Sequence, residues 1–266
     1  MRQKISDEQL EDFFIENNLH GRIHYYEALN RKIRYVSIGS GQQPATLFFV
    51  PGSPASVDLY IDYYKDPHLL QHFRMFCVDR PGYGNSGYGE PEPSVEKQAE
   101  MIKPIIDEFN AVKRPLIICA GSYGATVACR LLMDHPTIAD GLILDAPSLA
   151  PGKEKIFWLV PIIEHSFLRH FILPHHRSAN TEKIHHKEEL NRMLPHWHKI
   201  KVPVIYIQGS KDRMVYPSNA EFAREKLVNC PFFHVHFIPD REHFITRKER
   251  PFITKKILQM YDLLRK

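Results

Sequence analysis

No stretch of this sequence approaches the roughly 20 consecutive apolar residues that a membrane-crossing helix needs. The longest apolar run, Ile156 to Ile163, is interrupted by Pro161. The first ten residues, Met1 to Leu10, are charged and polar, without the apolar core of a secretory signal. These absences predict a chain without a membrane span, cytoplasmic by default. Cysteine is scarce: Cys77, Cys119, Cys129 and Cys230 are the four, and none forms a Cys-x-x-Cys pair. Two of them sit inside apolar runs, which predicts free thiols used as small core residues rather than a disulfide framework. There is no block of one charge either. The 35 Lys and Arg against 31 Asp and Glu leave a net charge of +4. Pairs such as Arg247-Lys248 and Lys255-Lys256 read as solvated helix faces, so no nucleic-acid partner is expected. No internal repeat or low-complexity tract is present.

What is there is a chain of 266 residues, 43% hydrophobic, enough for one α/β domain with an insertion. Ser6-Asp7-Glu8-Gln9 reads as a capping box opening an amphipathic helix. Arg22 to Glu27 and Lys32 to Ile38 read as an antiparallel hairpin turning at Ala28-Leu29-Asn30-Arg31. Apolar runs at Ala45 to Val50, Met75 to Val78, Leu116 to Cys119, Gly141 to Leu144, Val204 to Ile207 and Phe233 to Ile238 then alternate with helical patterns. Pro104 falls inside the pattern at Val95 to Phe109 and predicts a kink or a late start there. Such alternation implies about eight strands in a mostly parallel sheet with helices on both faces. Reactive groups collect at the carboxyl ends of such strands.

Three segments place chemistry there. Leu116 to Cys119 runs through Ala120-Gly121-Ser122-Tyr123-Gly124 directly into a helix. A nucleophile held on a tight strand-to-helix turn needs small residues two positions to either side, because larger ones would collide. Ser122 is the candidate nucleophile, and the Tyr123 N–H at the helix start can face an oxyanion. Downstream, Asp212 follows the run Val204 to Ile207, and His243 follows Phe233 to Ile238. Asp145, in Leu144-Asp145-Ala146-Pro147, also follows a strand and is a second candidate for the acid.

These motifs resemble the α/β-hydrolase superfamily over nearly the whole chain. Pro51-Gly52-Ser53-Pro54 is similar to its oxyanion loop, Asp79 to Ser86 to the loop after its fourth strand, and Ala120 to Gly124 to its nucleophile elbow. Pro51 stands where the family usually has histidine, and Ala120-Gly121 where it often has Gly-His; the backbone donors are unaffected. The resemblance implies a Ser122–His243–Asp212 triad, with the Ser53 and Tyr123 amides as oxyanion donors and no cofactor. It implies residues 1–147 and 201–266 as the hydrolase core, with 148–200 as a helical cap inserted between them.

The insertion holds eight of the 16 histidines, including His175-His176, His185-His186 and His196-x-His198. None has the His-x-x-x-His spacing with a nearby glutamate, so surface and pocket histidines are expected and no metal. Its apolar segments, Ile156 to Ile163 and Phe171 to Leu173, are expected to pack on the core and, by the resemblance, partly to roof the site. The expected substrate is a small molecule with an apolar acyl or alcohol part. A carboxylic ester heads the list; amides, thioesters and carbon–carbon bonds beside a carbonyl remain open, because one triad serves them all. A non-catalytic ligand-binding protein on this scaffold, or a lyase or isomerase using the same pocket, are the rival classes. Oligomeric state is not legible.

Overall fold

The computed structural model describes residues 4–110, 113–155 and 171–266. Helix α1 (Asp7–Glu16) opens with the expected capping box: Ser6 Oγ accepts from the Gln9 N–H, and the Gln9 side chain accepts from the Ser6 N–H. Strands β1 (Gly21–Ala28) and β2 (Arg31–Ile38) form the antiparallel hairpin, with Leu29 and Asn30 both at positive φ in its two-residue turn. Then follow β3 (Ala45–Val50), β4 (Phe73–Val78), α2 (Val95–Asn110), β5 (Leu116–Gly121), α3 (Tyr123–Asp134) and β6 (Gly141–Asp145). After α4 (Pro174–Met193) come β7 (Val204–Gly209), α5 (Asn219–Lys226), β8 (Phe233–Ile238) and α6 (Arg250–Leu264).

The eight strands form one sheet in the order β1-β2-β4-β3-β5-β6-β7-β8. Only β2 runs against the rest: its pairings with β1 and β4 are antiparallel and all others are parallel. The chain leaves β3 outward to β4 and returns across it to β5. The carboxyl ends of β3 and β5 therefore flank the point where the strand order reverses, the usual crevice for ligands in such sheets.

Period-two alternation assigns the core to two layers. Phe48, Val50, Ile118, Ala120, Leu142 and Leu144 face one side, under Ile102, Ile106, Val127 and Leu131 of α2 and α3. Leu47, Phe49, Ile117, Cys119, Ile143 and Ile205 face the other, under Leu10 and Phe14 of α1, Tyr60, Tyr63 and Tyr64, and Ile253, Ile257 and Met260 of α6. The thiols of Cys77, Cys119 and Cys129 are buried and free, and Cys230 is half-buried and free.

Two expectations are adjusted. Helix α2 runs unbroken through Pro104 rather than starting after it, so burial of its apolar face outweighs the hydrogen bond that proline cannot make. Strands β5, β6 and β7 extend past their apolar runs to Gly121, Asp145 and Gly209, because ladder pairing continues through small and polar residues at the crevice. In the 148–200 stretch, the described part holds α4, a 3-10 segment at Leu194–Lys199 and one antiparallel bridge, Glu154 to Val215. Residues Ile156 to Ile163, expected to supply apolar faces, lie outside the described residues. Phe171 and Leu173 are exposed.

Candidate active site

Ser122 sits between β5 and α3 at φ 49, ψ −120, a left-handed conformation that a serine adopts only under constraint. The constraint is visible on both sides. The Ser122 N–H continues the ladder to the Asp145 carbonyl at 2.8 Å. At Gly124, a Cβ would lie 2.4 Å from the Val50 carbonyl oxygen and 2.5 Å from that of Pro51. Only glycine lets the first turn of α3 close onto the end of β3. Ala120 on the other side is fully buried. These are the steric demands that make the sequence around the turn small.

The loop after β3 lies directly against this turn: a methyl at Gly52 would come within 2.9 Å of Ser122 Cβ. Arg80, wholly buried, holds that loop by donating to the Pro51 and Gly52 carbonyls at 2.7 and 3.0 Å. Its other donors reach Gln98 and Glu182, both at 2.6 Å. Tyr83 donates to Glu182 at 2.5 Å and lies 2.8 Å from the Ser53 hydroxyl. A buried ion pair between Arg80 and a carboxylate on α4 thus ties the Pro51–Pro54 loop to the helix above it. Arg80 and Tyr83 belong to the motif singled out in the sequence. Glu182 does not, and no local pattern marks it, because its partners are about a hundred residues away.

The ends of β7 and β8 bring the other two groups. His243 Nε2 lies 3.0 Å from Ser122 Oγ, and its Nδ1 lies 2.7 Å from Asp212 Oδ2. The Met214 and Val215 N–H groups both donate to Asp212 Oδ1 at 2.9 Å. A Cβ at Gly209 would fall 2.3 Å from the Arg241 carbonyl oxygen, so the acid-bearing and histidine-bearing loops touch through a glycine. Ser122, His243 and Asp212 are therefore brought into one hydrogen-bonded line, while Asp145 stands apart from it. Asp145 is buried; one oxygen accepts from the Thr246 hydroxyl and the other has no partner among the described residues. Burial, opposed by the Thr246 bond and His243, pushes its carboxyl up to about 7.

Ser53, Pro54, Ser122, Tyr123 and His243 line a cavity of about 150 Å³. Tyr123 opens α3, so its N–H has no acceptor within the helix. Ala179 and Lys183 of α4, with Ser148, Glu154, Lys155, Met214 and Val215, complete the described wall, while Ile156 to Ile163, expected to help roof the site, lie outside the described residues. Among the described residues no group of three or more His, Cys, Asp or Glu is arranged to hold a metal. Three of the insertion's described histidines have other partners: His175 Nδ1 meets the Tyr88 hydroxyl, His185 the Thr181 carbonyl, and His186 both Glu154 and Thr126. Among the described residues no helix is long and apolar enough to cross a membrane.

Comparison with known proteins agrees with this architecture. The family model of the alpha/beta hydrolase fold matches residues 45–164. Over 293 aligned positions the chain is 23% identical to monoacylglycerol lipase abhd6-B of Xenopus laevis, covering 89% of this chain and 85% of that protein. A bacterial membrane phospholipase A superposes with a TM-score of 0.70 at 20% identity, over 96% of this chain and 90% of that one. Carboxylesterase CesB of Bacillus subtilis superposes at 0.68 with 13% identity, over 94% and 95%. At these identities the structural likeness speaks for the fold.

Proposed function

We propose that this chain, which belongs to the α/β-hydrolase superfamily, is a serine hydrolase that cleaves a small carboxylic ester through an acyl-enzyme. The observation that carries the reading is the line Ser122–His243–Asp212 converging on a serine at positive φ. A serine held at positive φ on a tight strand-to-helix turn is the geometry that aims a nucleophile into a crevice. The lipase and esterase names among its relatives point to the same class of bond.

In the proposed mechanism His243 Nε2 accepts the Ser122 proton as Oγ attacks the ester carbonyl. Asp212, held by the Met214 and Val215 amides, keeps Nδ1–H directed at itself and stabilises the imidazolium. The Tyr123 and Ser53 N–H groups receive the oxyanion. His243 then protonates the departing alcohol. Water repeats the cycle, giving its proton to His243, and the acid is released with Ser122 restored. No cofactor enters the scheme. Residues 148–200 act as the cap, with α4 as its described roof.

The test is hydrolysis of p-nitrophenyl acetate and butyrate by wild type and Ser122→Ala. Ester turnover that falls on the order of a million-fold in the variant supports the reading. Turnover equal in both proteins, or absent from folded wild type, refutes it and favours a ligand-binding role on this scaffold.

A further inference from the structure

The wall of the Ser122 cavity carries charge that the proposed triad does not use. Lys155, Lys183 and Glu154 line it together with Ser122, Tyr123 and His243. Glu154 is fully engaged. Its Oε1 accepts from His186 Nδ1 at 2.8 Å, and its Oε2 accepts from Lys183 Nζ at 2.8 Å and Ser148 Oγ at 3.0 Å. Burial alone would raise its carboxyl, yet His186 and Lys183 bring it down to about 2. A carboxylate with both oxygens occupied by three donors has little left for a cationic ligand. The ammonium beside it is in the opposite condition. Lys183 has three N–H donors, and Glu154 takes one. Its side chain is 23% exposed, against 7% for Glu154, so of the two lining residues the cation is the more accessible.

Local structure holds this group in place. Lys183 and His186 lie one turn apart on α4, and both reach the same carboxylate. Glu154 is fixed from below by its bridge to Val215, the residue whose N–H also supports Asp212. The His186 ring packs on the Tyr123 ring with centroids 4.6 Å apart. The cationic group is therefore built on the same supports as the reactive serine, in a cavity of about 150 Å³ among the described residues.

We propose that the substrate is a small ester whose acyl part ends in an anionic group, a carboxylate, received by Lys183. This rests on the reading of Ser122 as the nucleophile of an ester hydrolase. A fixed ammonium in a confined site strengthens binding of an anion and does nothing for its neutral isostere.

The test compares monoethyl glutarate with ethyl pentanoate, which has a methyl group in place of the carboxylate, and with protonated ethyl 4-(dimethylamino)butanoate. Rates are followed by titration of released acid. Wild type is expected to favour the hemiester by about tenfold or more in kcat/KM, mainly through KM, and the preference shrinks with added salt. Lys183→Met is expected to bring the ratio between anionic and neutral ester to near one, while Lys183→Arg keeps a preference for the anion. An equal or better rate for the neutral or cationic ester in wild type overturns the proposal, and that arm needs no variant to fold. Binding of monoethyl glutarate to Ser122→Ala, followed by calorimetry, separates the two readings. Binding lost in Ser122→Ala/Lys183→Met supports the anion site even if no ester is turned over, in which case only the hydrolase reading fails. Turnover of esters without anion preference leaves the hydrolase standing and removes the anion site.

Discussion

Asp145 and Asp212 stand at the ends of neighbouring strands, both buried, both a short step from the same crevice, and they are held in opposite ways. Asp212 accepts two backbone N–H groups on one oxygen and the His243 ring on the other. Asp145 has the Thr246 hydroxyl on one oxygen and nothing described on the other, and burial lifts it to about 7. The contrast teaches that strand-end position does not decide what a carboxyl can do. The turn after β7 folds back so that Met214 and Val215 point their amides at Asp212. After β6 the chain enters Ala146-Pro147, and proline has no N–H to offer. A carboxyl rich in donors can orient an imidazole; one poor in donors holds a proton instead.

The largest expected effect separates the two directly. Asp212→Asn is expected to lower kcat on the order of ten-thousand-fold, since the amide favours the wrong imidazole tautomer, while Asp145→Asn costs less than about tenfold. Steady-state ester hydrolysis measures both, and reversed magnitudes would exchange the roles of the two residues. Next, Gly209→Ala forces a methyl to within 2.3 Å of the Arg241 carbonyl oxygen. It is expected to cost roughly 3 kcal/mol of stability by overpacking, and most of the activity, by parting the Asp212 and His243 loops. Chemical denaturation and rate together show whether the two losses travel together.

The proton on Asp145 gives a pH signature. Its folded carboxyl lies near 7 and its ordinary value is 3.8. Below 3.8 both folded and unfolded chains hold the proton, so the residue is neutral toward stability. Between 3.8 and about 7 the unfolded chain releases the proton and the folded one keeps it, so stability falls as pH rises, and the full penalty stands above that window. Asp145→Asn cannot ionise. Its Tm relative to wild type should therefore climb through that window and level off above it; a flat difference would show that Asp145 is not held protonated. The smallest effect belongs to Thr246→Val, which removes the one described donor to Asp145. It is expected to cost about 1 kcal/mol near neutral pH, read by denaturation, with kcat little changed.

Much of the scaffold was legible in the sequence because its causes are local. Apolar runs punctuated by Pro51-Gly52, Gly121-Ser122 and Gly209-Ser210 mark strands that end at a crevice. Gly124 is small because a Cβ there would collide with the end of β3, and Ala120 is fully buried at the other side of the turn. Of three expected residues, His243 lies within hydrogen-bonding reach of both Ser122 and Asp212. The choice between two aspartates was not decidable from pattern alone, since both follow a buried strand and the deciding amides emerge only once the turn is folded. Nor were the Arg80–Glu182 and Glu154–Lys183–His186 groups visible. Helix α4 carries polar residues almost all round, so no periodicity separates those that reach inward from those that meet water. For the same reason nothing in the sequence singled out Lys183 and Glu154 as residues of the cavity wall.

The most direct test of the central claim is the mass of the intact protein after exposure to a fluorophosphonate, with wild type and Ser122→Ala treated side by side. One adduct is expected on wild type and none on the variant, because only a serine deprotonated by His243 attacks phosphorus at a useful rate. Wild type that is folded yet unlabelled, or label that persists on Ser122→Ala, would contradict it.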